Sequence, residues 1–300
     1  MPELPEVEVV KIFLEEKLIG QKISRLEVLN QKSFIGNPKL VEGQTITKFS
    51  RLGKQLSIHF SNHLILLVHL KMTGQLLYLP PCLPAYGWSR GGPELVEGEG
   101  FKMFGHPTKT INSKSTRIIF NFADSTRLIF NDQRKFGWIK VINNHTELAQ
   151  VQKNLGLDIF DPRFTPKYLH SQLQRTSRPI KLALLDQKLF AGIGNIYAND
   201  SLFLARIHPL TPAKNISLSQ SKILHRALQT IMQKSIKAGG STAKDKKYLR
   251  PDGTYGQNQF NFLVYQQSGQ PCPKCGNLIN QIKISNRGTF FCPSCQPLTK

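Results

Sequence analysis

Long apolar runs are absent from this sequence. The longest is Leu64–Val68, far short of the ~20 residues that a membrane-spanning helix needs. Acidic residues are scarce: nineteen Asp+Glu face forty Lys+Arg, a formal net charge of +21 over 300 residues. Five of those acids, Glu3, Glu6, Glu8, Glu15 and Glu16, crowd the start of the chain, the opposite of a basic signal or transit peptide. Cysteine is rare, with five in all, which excludes the disulfide-dense secreted scaffolds. The expectation is a soluble, cytoplasmic protein with no membrane partner. Apolar mass, by contrast, is abundant: 40% of residues are hydrophobic and eighteen are Phe. A chain of this size and composition buries two or three cores and is not a basic disordered tail. Its positive excess suits a polyanion, nucleic acid first, where displaced counterions would supply affinity. Generic solubility is the plainer alternative.

Four of the cysteines fall in two knuckles, Cys272-Pro-Lys-Cys275 and Cys292-Pro-Ser-Cys295, with sixteen residues between them. Each knuckle can present two thiolates to one ion. The result is a closed tetrahedral four-thiolate site suited to one structural Zn2+, with no open position for catalysis. Between the knuckles, Leu278–Ile284 alternates apolar and polar residues, Asn286-Arg287-Gly288 makes a turn, and Thr289-Phe290-Phe291 returns. This predicts a zinc hairpin. Two disulfides are the alternative, and a reducing compartment disfavours them. Cys82 is left over as a spectator thiol. No organic cofactor is expected.

The chain opens Met1-Pro2-Glu3-Leu4-Pro5-Glu6-Val7-Glu8-Val9-Val10. Val7, Val10, Leu14 and Leu18 have helical spacing, and Gly20 ends the run. Pro5 suits a first helical turn, and the acids favour the positive end of the dipole. Helix-start grammar leaves Pro2 and Glu3 unexplained. Proline at the second position normally permits removal of the initiator Met, which frees a secondary amine. An α-amino group titrates at about 7.7–8.0, so part of it is nucleophilic near neutrality. Such an amine can attack a sugar C1′ and form an iminium, with Glu3 beside it to shuttle protons.

Seven further segments stand in one order along the chain. They are Gly53-Lys54-Gln55-Leu56, His69-Leu70-Lys71-Met72-Thr73-Gly74, Asn131-Asp132-Gln133-Arg134-Lys135-Phe136-Gly137 and Leu184-Leu185-Asp186-Gln187-Lys188. Gly192-Ile193-Gly194-Asn195-Ile196-Tyr197-Ala198, Ile207-His208-Pro209 and the four-cysteine hairpin ending Cys295-Gln296 complete the set. With Met1–Val9 they make the chain resemble the formamidopyrimidine-DNA glycosylases, bacterial base-excision repair enzymes. The sister family, endonuclease VIII, shares the opening Pro-Glu and the zinc hairpin, but Leu4 and Val7 match the formamidopyrimidine branch.

The resemblance implies roles residue by residue. Pro2 is the nucleophile that displaces the damaged base and holds the sugar as a Schiff base. Glu3 is the acid that protonates the sugar ring oxygen. Glu6 matches a second acid of the lesion pocket, although a first-turn helix carboxylate is the simpler reading. Lys54, on a segment that reads as a strand, contacts phosphate and donates a proton in β-elimination. Arg287, at the hairpin turn, holds flanking phosphates and serves δ-elimination. Asn195 and Lys181 grip the DNA backbone from a helix–two-turn–helix element, where the Gly192-x-Gly194 turn lets amides approach an anion. Met72, Arg134 and Phe136 fill the gap left by the extruded base; ordinary core is the alternative for Met72 and Phe136. The loop Ser241–Gly256 closes over the flipped oxidised purine, or is a solvated linker.

The sequence departs from the family in places. A Pro/Gly-rich insertion lies between Leu79 and Lys114, and it contains Pro93–Gly98, a near repeat of Pro38–Gly43. Ser115 stands at the DNA-facing place where relatives often carry a His, Asp200 stands where Glu is usual, and Gln266-Gln267 replace a common Gly-Arg. The predicted fold class is α+β. An N-terminal catalytic β-sandwich spans 1–150, with the insertion at about 80–113. The helix–two-turn–helix domain with its lesion-capping loop spans 151–256, and the zinc hairpin 257–300. The function implied is a monomeric bifunctional glycosylase and AP lyase for oxidised purines, acting on double-stranded DNA with damaged bases or abasic sites and associated with the nucleoid. An endonuclease VIII-like enzyme for oxidised pyrimidines and a non-catalytic damage-binding protein are the alternatives.

Overall fold

The computed structural model describes residues 2–81, 114–242 and 248–298. Met1, the insertion from 82 to 113 with Cys82 and the repeat Pro93–Gly98, and the basic stretch Ala243–Lys247 lie outside the described residues. Helix α1 (Leu4–Leu18) begins with Pro5 in its first turn, and the Glu6 carboxylate accepts the Glu3 N–H at 2.8 Å, half of a capping box. Gly20 leaves the helix at φ +83°.

Two sheets follow. One has the order β1-β7-β8-β6, from Ile23–Val28, Thr116–Phe122, Arg127–Asp132 and Gly74–Leu79. The other has the order β2-β9-β5-β4-β3, from Phe34–Ile35, Trp138–Ile142, Ile65–His69, Gln55–Phe60 and Ile46–Leu52. Period-2 alternation sends Leu56, Ile58 and Phe60 of β4 inward, to meet Ile118, Phe120, Leu128 and Phe130 of the facing sheet. Val7, Val10 and Leu14 of α1 join this core. The N-terminal part is therefore a two-sheet sandwich with a helix built into it.

A second core is helical. Short α2 (His145–Gln152) leads to β10 (Leu157–Asp158), α3 (Pro166–Leu173) and α4 (Ile180–Leu185). Next come β11 (Phe190–Ala191), which pairs in parallel with β10, then α5 (Asn195–Leu204) and α6 (Leu218–Lys237). Ser217 and Gln220 box the start of α6. Leu4 of α1 lies in this second core with Leu184, Phe190, Tyr197 and Leu228, so α1 is shared between the two domains. Arg51 of β3 reinforces the junction: it is bonded to Asp158 of β10 and, at 2.5 Å, to Glu8 of α1. Such a buried pair is costly to break from one side.

The C-terminal hairpin pairs β12 (Asn280–Ile284) with β13 (Arg287–Phe291). Two residue placements differ from the sequence reading. Arg287 is not in the turn; it opens the return strand opposite Ile284, and the turn is Ser285-Asn286 with φ of 45° and 61°. A two-residue turn with positive φ at both positions matches the twist of the strands. Lys54 is likewise not within a strand. It sits in the two-residue turn Gly53-Lys54 closed by Leu52 and Gln55, and Gly53, at φ +58°, backs onto Ala191 and Gly192 with no room for more than contact.

Candidate active site

Glu3 lies at the junction of the two cores and is 2% exposed. Its Oε1 accepts the Ile196 N–H at 3.1 Å, at the start of α5. The glycine turn before α5 is shaped to this approach: a Cβ on Gly194 would collide with the Glu3 carboxyl group, and one on Gly192 with the Leu4 side chain. The turn thus receives the carboxyl group of Glu3. Gln187 braces the turn, accepting from Gly192 N at 2.9 Å and donating to the Ile193 carbonyl at 2.8 Å. Pro2, one residue away, is buried.

Burial pushes the Glu3 carboxyl up to about 7; Lys54 opposes the shift and Glu6 adds to it. Burial also lowers the Lys54 ammonium, with Glu3 pulling it back up and Arg287 pushing it down. Lys181 is lowered to about 7 by burial and then by Arg287. Four groups from distant parts of the chain thus share one field. A carboxyl half-protonated near neutrality can give or take a proton there, which is the property of a general acid.

Glu6 is buried beside them. Its Oε1 accepts from the Tyr197 hydroxyl at 2.5 Å and from both the N–H and hydroxyl of Ser241 at 2.8 Å. Burial and the neighbouring Glu6 hold the Tyr197 hydroxyl well above its ordinary value, so it stays a donor. Tyr197 and Ser241 were not among the predicted site residues; both sit in glycine-flanked segments, Gly192–Ala198 and Gly239–Ser241, which is the only signal they give.

Lys181 and Asn195 are turned to the hairpin. Lys181 is 0% exposed, and its ammonium donates at 2.7 Å to the Gly288 carbonyl and to the Thr289 hydroxyl. Asn195 Nδ2 reaches the same carbonyl at 3.1 Å, while its Oδ1 is buried with no hydrogen-bond partner. Asn199 holds the Phe290 N–H at 2.8 Å. These bonds fix the strand that carries the exposed Arg287. Asp200, where the family usually has Glu, accepts three successive N–H groups from Leu263 to Tyr265 and so docks the approach to the hairpin.

Met72, Arg134 and Phe136 gather on the sandwich, in the β5–β6 and β8–β9 loops. Met72 is 43% and Phe136 59% exposed, so neither is core. Arg134 Nη1 lies 3.9 Å from the Met72 sulfur. Half-buried Ser115 lies behind this group and accepts the Asp132 N–H through its carbonyl at 2.8 Å.

The sulfurs of Cys272, Cys275, Cys292 and Cys295 all lie within 4.8 Å of one another. Cys272 to Cys295 is 3.9 Å and Cys275 to Cys292 is 3.5 Å, and all four are free of disulfides. A tetrahedron of metal–sulfur bonds of ~2.3 Å has edges of roughly 3.8 Å, so the donor set fits one structural metal. No helix among the described residues is long and apolar enough to cross a membrane.

Comparison with known proteins agrees with this geometry. The family model of the formamidopyrimidine-DNA glycosylase N-terminal domain matches residues 1–139, that of the H2TH domain 155–247, and a zinc finger found in FPG and IleRS 269–298. The chain is 36% identical over 307 residues to the formamidopyrimidine-DNA glycosylase of Exiguobacterium sibiricum, covering 99% of both. It is 35% identical to that of Wolbachia sp. subsp. Brugia malayi, covering 99% of this chain and 100% of that one. The solved structure of the MutM (Fpg) protein from Thermus thermophilus superposes with a TM-score of 0.82 at 31% identity over 100% of both chains. Lactococcus lactis Fpg in complex with DNA containing an abasic site gives 0.82 at 31% identity, covering 99% of this chain and 100% of that one. With its sandwich, its helical domain and its four-cysteine finger each matched in order, the chain belongs to the formamidopyrimidine-DNA glycosylase family of DNA repair enzymes.

Proposed function

We propose that this protein is a bifunctional glycosylase and AP lyase that excises oxidised purines, 8-oxoguanine and formamidopyrimidines, from duplex DNA. It acts as a monomer on damaged or abasic sites, in the cytoplasm at the nucleoid. The observation that carries the reading is Glu3. A buried carboxyl brought to about 7 stands beside Pro2 and in the field of Lys54, which Arg287 in turn repels.

After loss of Met1 the Pro2 nitrogen attacks C1′, and the bond from C1′ to the base breaks; the base leaves with that electron pair and takes up the proton that the amine gives up. Glu3 gives its proton to the ring oxygen, the sugar opens, and the nitrogen lone pair completes an iminium. Lys54, lowered by burial, can exchange a proton in the β-elimination that follows, and Arg287 neutralises phosphate charge and serves the δ-elimination. Glu6, already saturated with donors, shapes the pocket wall for the extruded base. Met72, Arg134 and Phe136 enter the duplex in its place, offsetting lost stacking, with Ser115 behind them and Lys181 and Asn195 steadying the hairpin on the backbone. The four cysteines hold one structural Zn2+, which supplies folding energy to the hairpin and takes no part in the chemistry.

Borohydride trapping tests this directly. Protein whose N-terminus is mapped to Pro2 should cross-link to 8-oxoguanine duplex, and protein that retains Met1 should not. Faster trapping on an oxidised-pyrimidine duplex would move the specificity to the endonuclease VIII type. Tight binding with no cross-link on either duplex would leave only a damage-binding protein.

A further inference from the structure

Met72, Arg134 and Phe136 share one buried anchor. Asp132, the last residue of β8, is 0% exposed. Its Oδ1 accepts from the Thr73 hydroxyl and, at 3.1 Å, from the Arg134 N–H; its Oδ2 accepts from Gly137 N–H at 2.6 Å. The Thr73 oxygen also accepts the Arg134 N–H, at 3.0 Å. One carboxylate therefore ties the loop that carries Met72 to the loop that carries Arg134 and Phe136.

Neither loop is relaxed. Lys71 has φ 53° and Lys135 φ 60°, the left-handed region that residues with side chains enter at a cost and hold only when their surroundings impose it. Each strained lysine is the chain neighbour of an exposed side chain of the trio. The loop ends are closed on the same point: a Cβ on Gly137 would lie 2.7 Å from Phe130 Cζ and 3.1 Å from Asp132 Oδ2, and one on Gly74 would collide with the Leu70 carbonyl. A carboxylate is the one side chain that offers only acceptors to these converging donors. Asparagine has the same shape, but its amide would oppose one donor with another.

We infer that Asp132 is a positioning residue for the reaction on duplex DNA. It sets the spacing of Met72, Arg134 and Phe136 so that they enter the helix as one unit, and through Arg134 it sets discrimination of the base opposite the lesion. The inference rests on the proposed glycosylase reading. It differs from simple structural support in one respect: a wedge matters only where a base must leave a stacked, paired duplex. A single-stranded abasic site needs no wedge, so lyase action there should be indifferent to Asp132.

The experiment compares wild type, D132N and T73V on two substrates. One is an 8-oxoguanine duplex with each of the four bases opposite, under single-turnover conditions; the other is a single-stranded oligonucleotide carrying an abasic site. D132N should slow duplex excision by ~10–100-fold, the scale of a few kcal/mol of uncompensated unstacking, and compress the spread of rates across the opposite bases. Single-stranded cleavage should stay within about twofold. T73V removes one donor to Asp132 and the acceptor of a second Arg134 contact, and should move the same way by a smaller factor; it decides the matter by the same split if D132N does not fold. Equal losses on both substrates, or unchanged duplex rates, would overturn the inference. A wild-type protein inactive on both substrates would instead bring down the glycosylase reading on which it rests.

Discussion

The proposed catalytic junction and the loops of the proposed wedge depart from ordinary burial in opposite directions. At the junction, groups that normally face water are enclosed: Glu3 is 2% exposed and Lys181 0%. On the wedge, side chains that normally fill cores stand in water, Phe136 at 59% and Met72 at 43%. Both arrangements cost folding free energy, and both make sense only when a partner arrives. Enclosure prepares charges whose protons must move near neutral pH. On the proposed reading, exposure prepares apolar surface for a gap that exists only after a base has left its stack. The two regions are joined through α1, whose side chains pack in both cores.

The largest effect is expected at Glu3. In the folded protein its carboxyl titrates at about 7 instead of the ordinary 4.5. Between those values the native state keeps a proton that the unfolded chain releases, so this group's contribution to stability falls as pH rises through that window. Glu3→Gln cannot ionise and escapes the loss. It should therefore be more stable than wild type at pH 8, by about 3 kcal/mol, visible as a higher Tm, and equal to it below pH 4.5. Base release should fall by ~10²–10⁴, the usual worth of a general acid, with duplex affinity kept. A variant that lost both activity and stability at pH 8 would mean that Glu3 is a structural anchor.

Metal removal comes next. Four thiolates order the hairpin, and Lys181, Asn195 and Asn199 then hold it at Gly288 and Phe290. Cys292→Ser should abolish duplex binding while the sandwich, whose core contains none of these residues, keeps its cooperative transition. Metal analysis of the reduced wild-type protein should return one zinc per chain. Retention of full DNA affinity in metal-free protein would separate the finger from binding.

How far the sequence could be read follows from these contacts. Strands such as Thr116–Phe122 and Arg127–Asp132 show themselves by short apolar runs on either side of the Asp124-Ser125 turn, α1 by its apolar spacing, and the finger by cysteine spacing, because each pattern is local. The candidate site residues stand out mainly where a motif repeats a family pattern, as at Pro2-Glu3 and Arg134-Lys135-Phe136, and their roles are the ones proposed above. Asp132, Tyr197 and Ser241 lie in segments that the resemblance marks, and Asp158 does not, but no residue type or spacing singles out any of the four. Their importance arises from partners 59 to 235 positions away, which no periodicity encodes. Lys54 and Arg287 were assigned to a strand and a turn and occupy a turn and a strand. A two-residue turn is too short to perturb the alternation around it.

Phe136→Ala tests the exposed side of the comparison. Truncating a side chain that is largely in water should change stability by no more than about 0.5 kcal/mol, while duplex excision slows by roughly tenfold for want of a stacking partner. Glu3→Gln should gain stability and lose chemistry, whereas Phe136→Ala should lose excision with stability unmoved. A clear drop in Tm would make Phe136 a packing residue.

Arg287→Ala should have the smallest effect and the most specific signature. Arg287 is exposed at the start of β13, and its backbone neighbour Gly288 is clamped from two helices, so removing the guanidinium leaves the strand in place. One neutralised phosphate contributes about −0.9 to the slope of log K against log salt on duplex DNA. The variant should therefore bind a few-fold more weakly at low salt, with a slope flatter by roughly one unit. It should also relieve the repulsion that helps hold Lys54 and Lys181 below their ordinary values, so both ammoniums should titrate higher than in wild type. An unchanged salt slope would show that the guanidinium does not sit on phosphate. An upward shift of Lys54 without a change in slope would then assign Arg287 to tuning the buried charges of the junction.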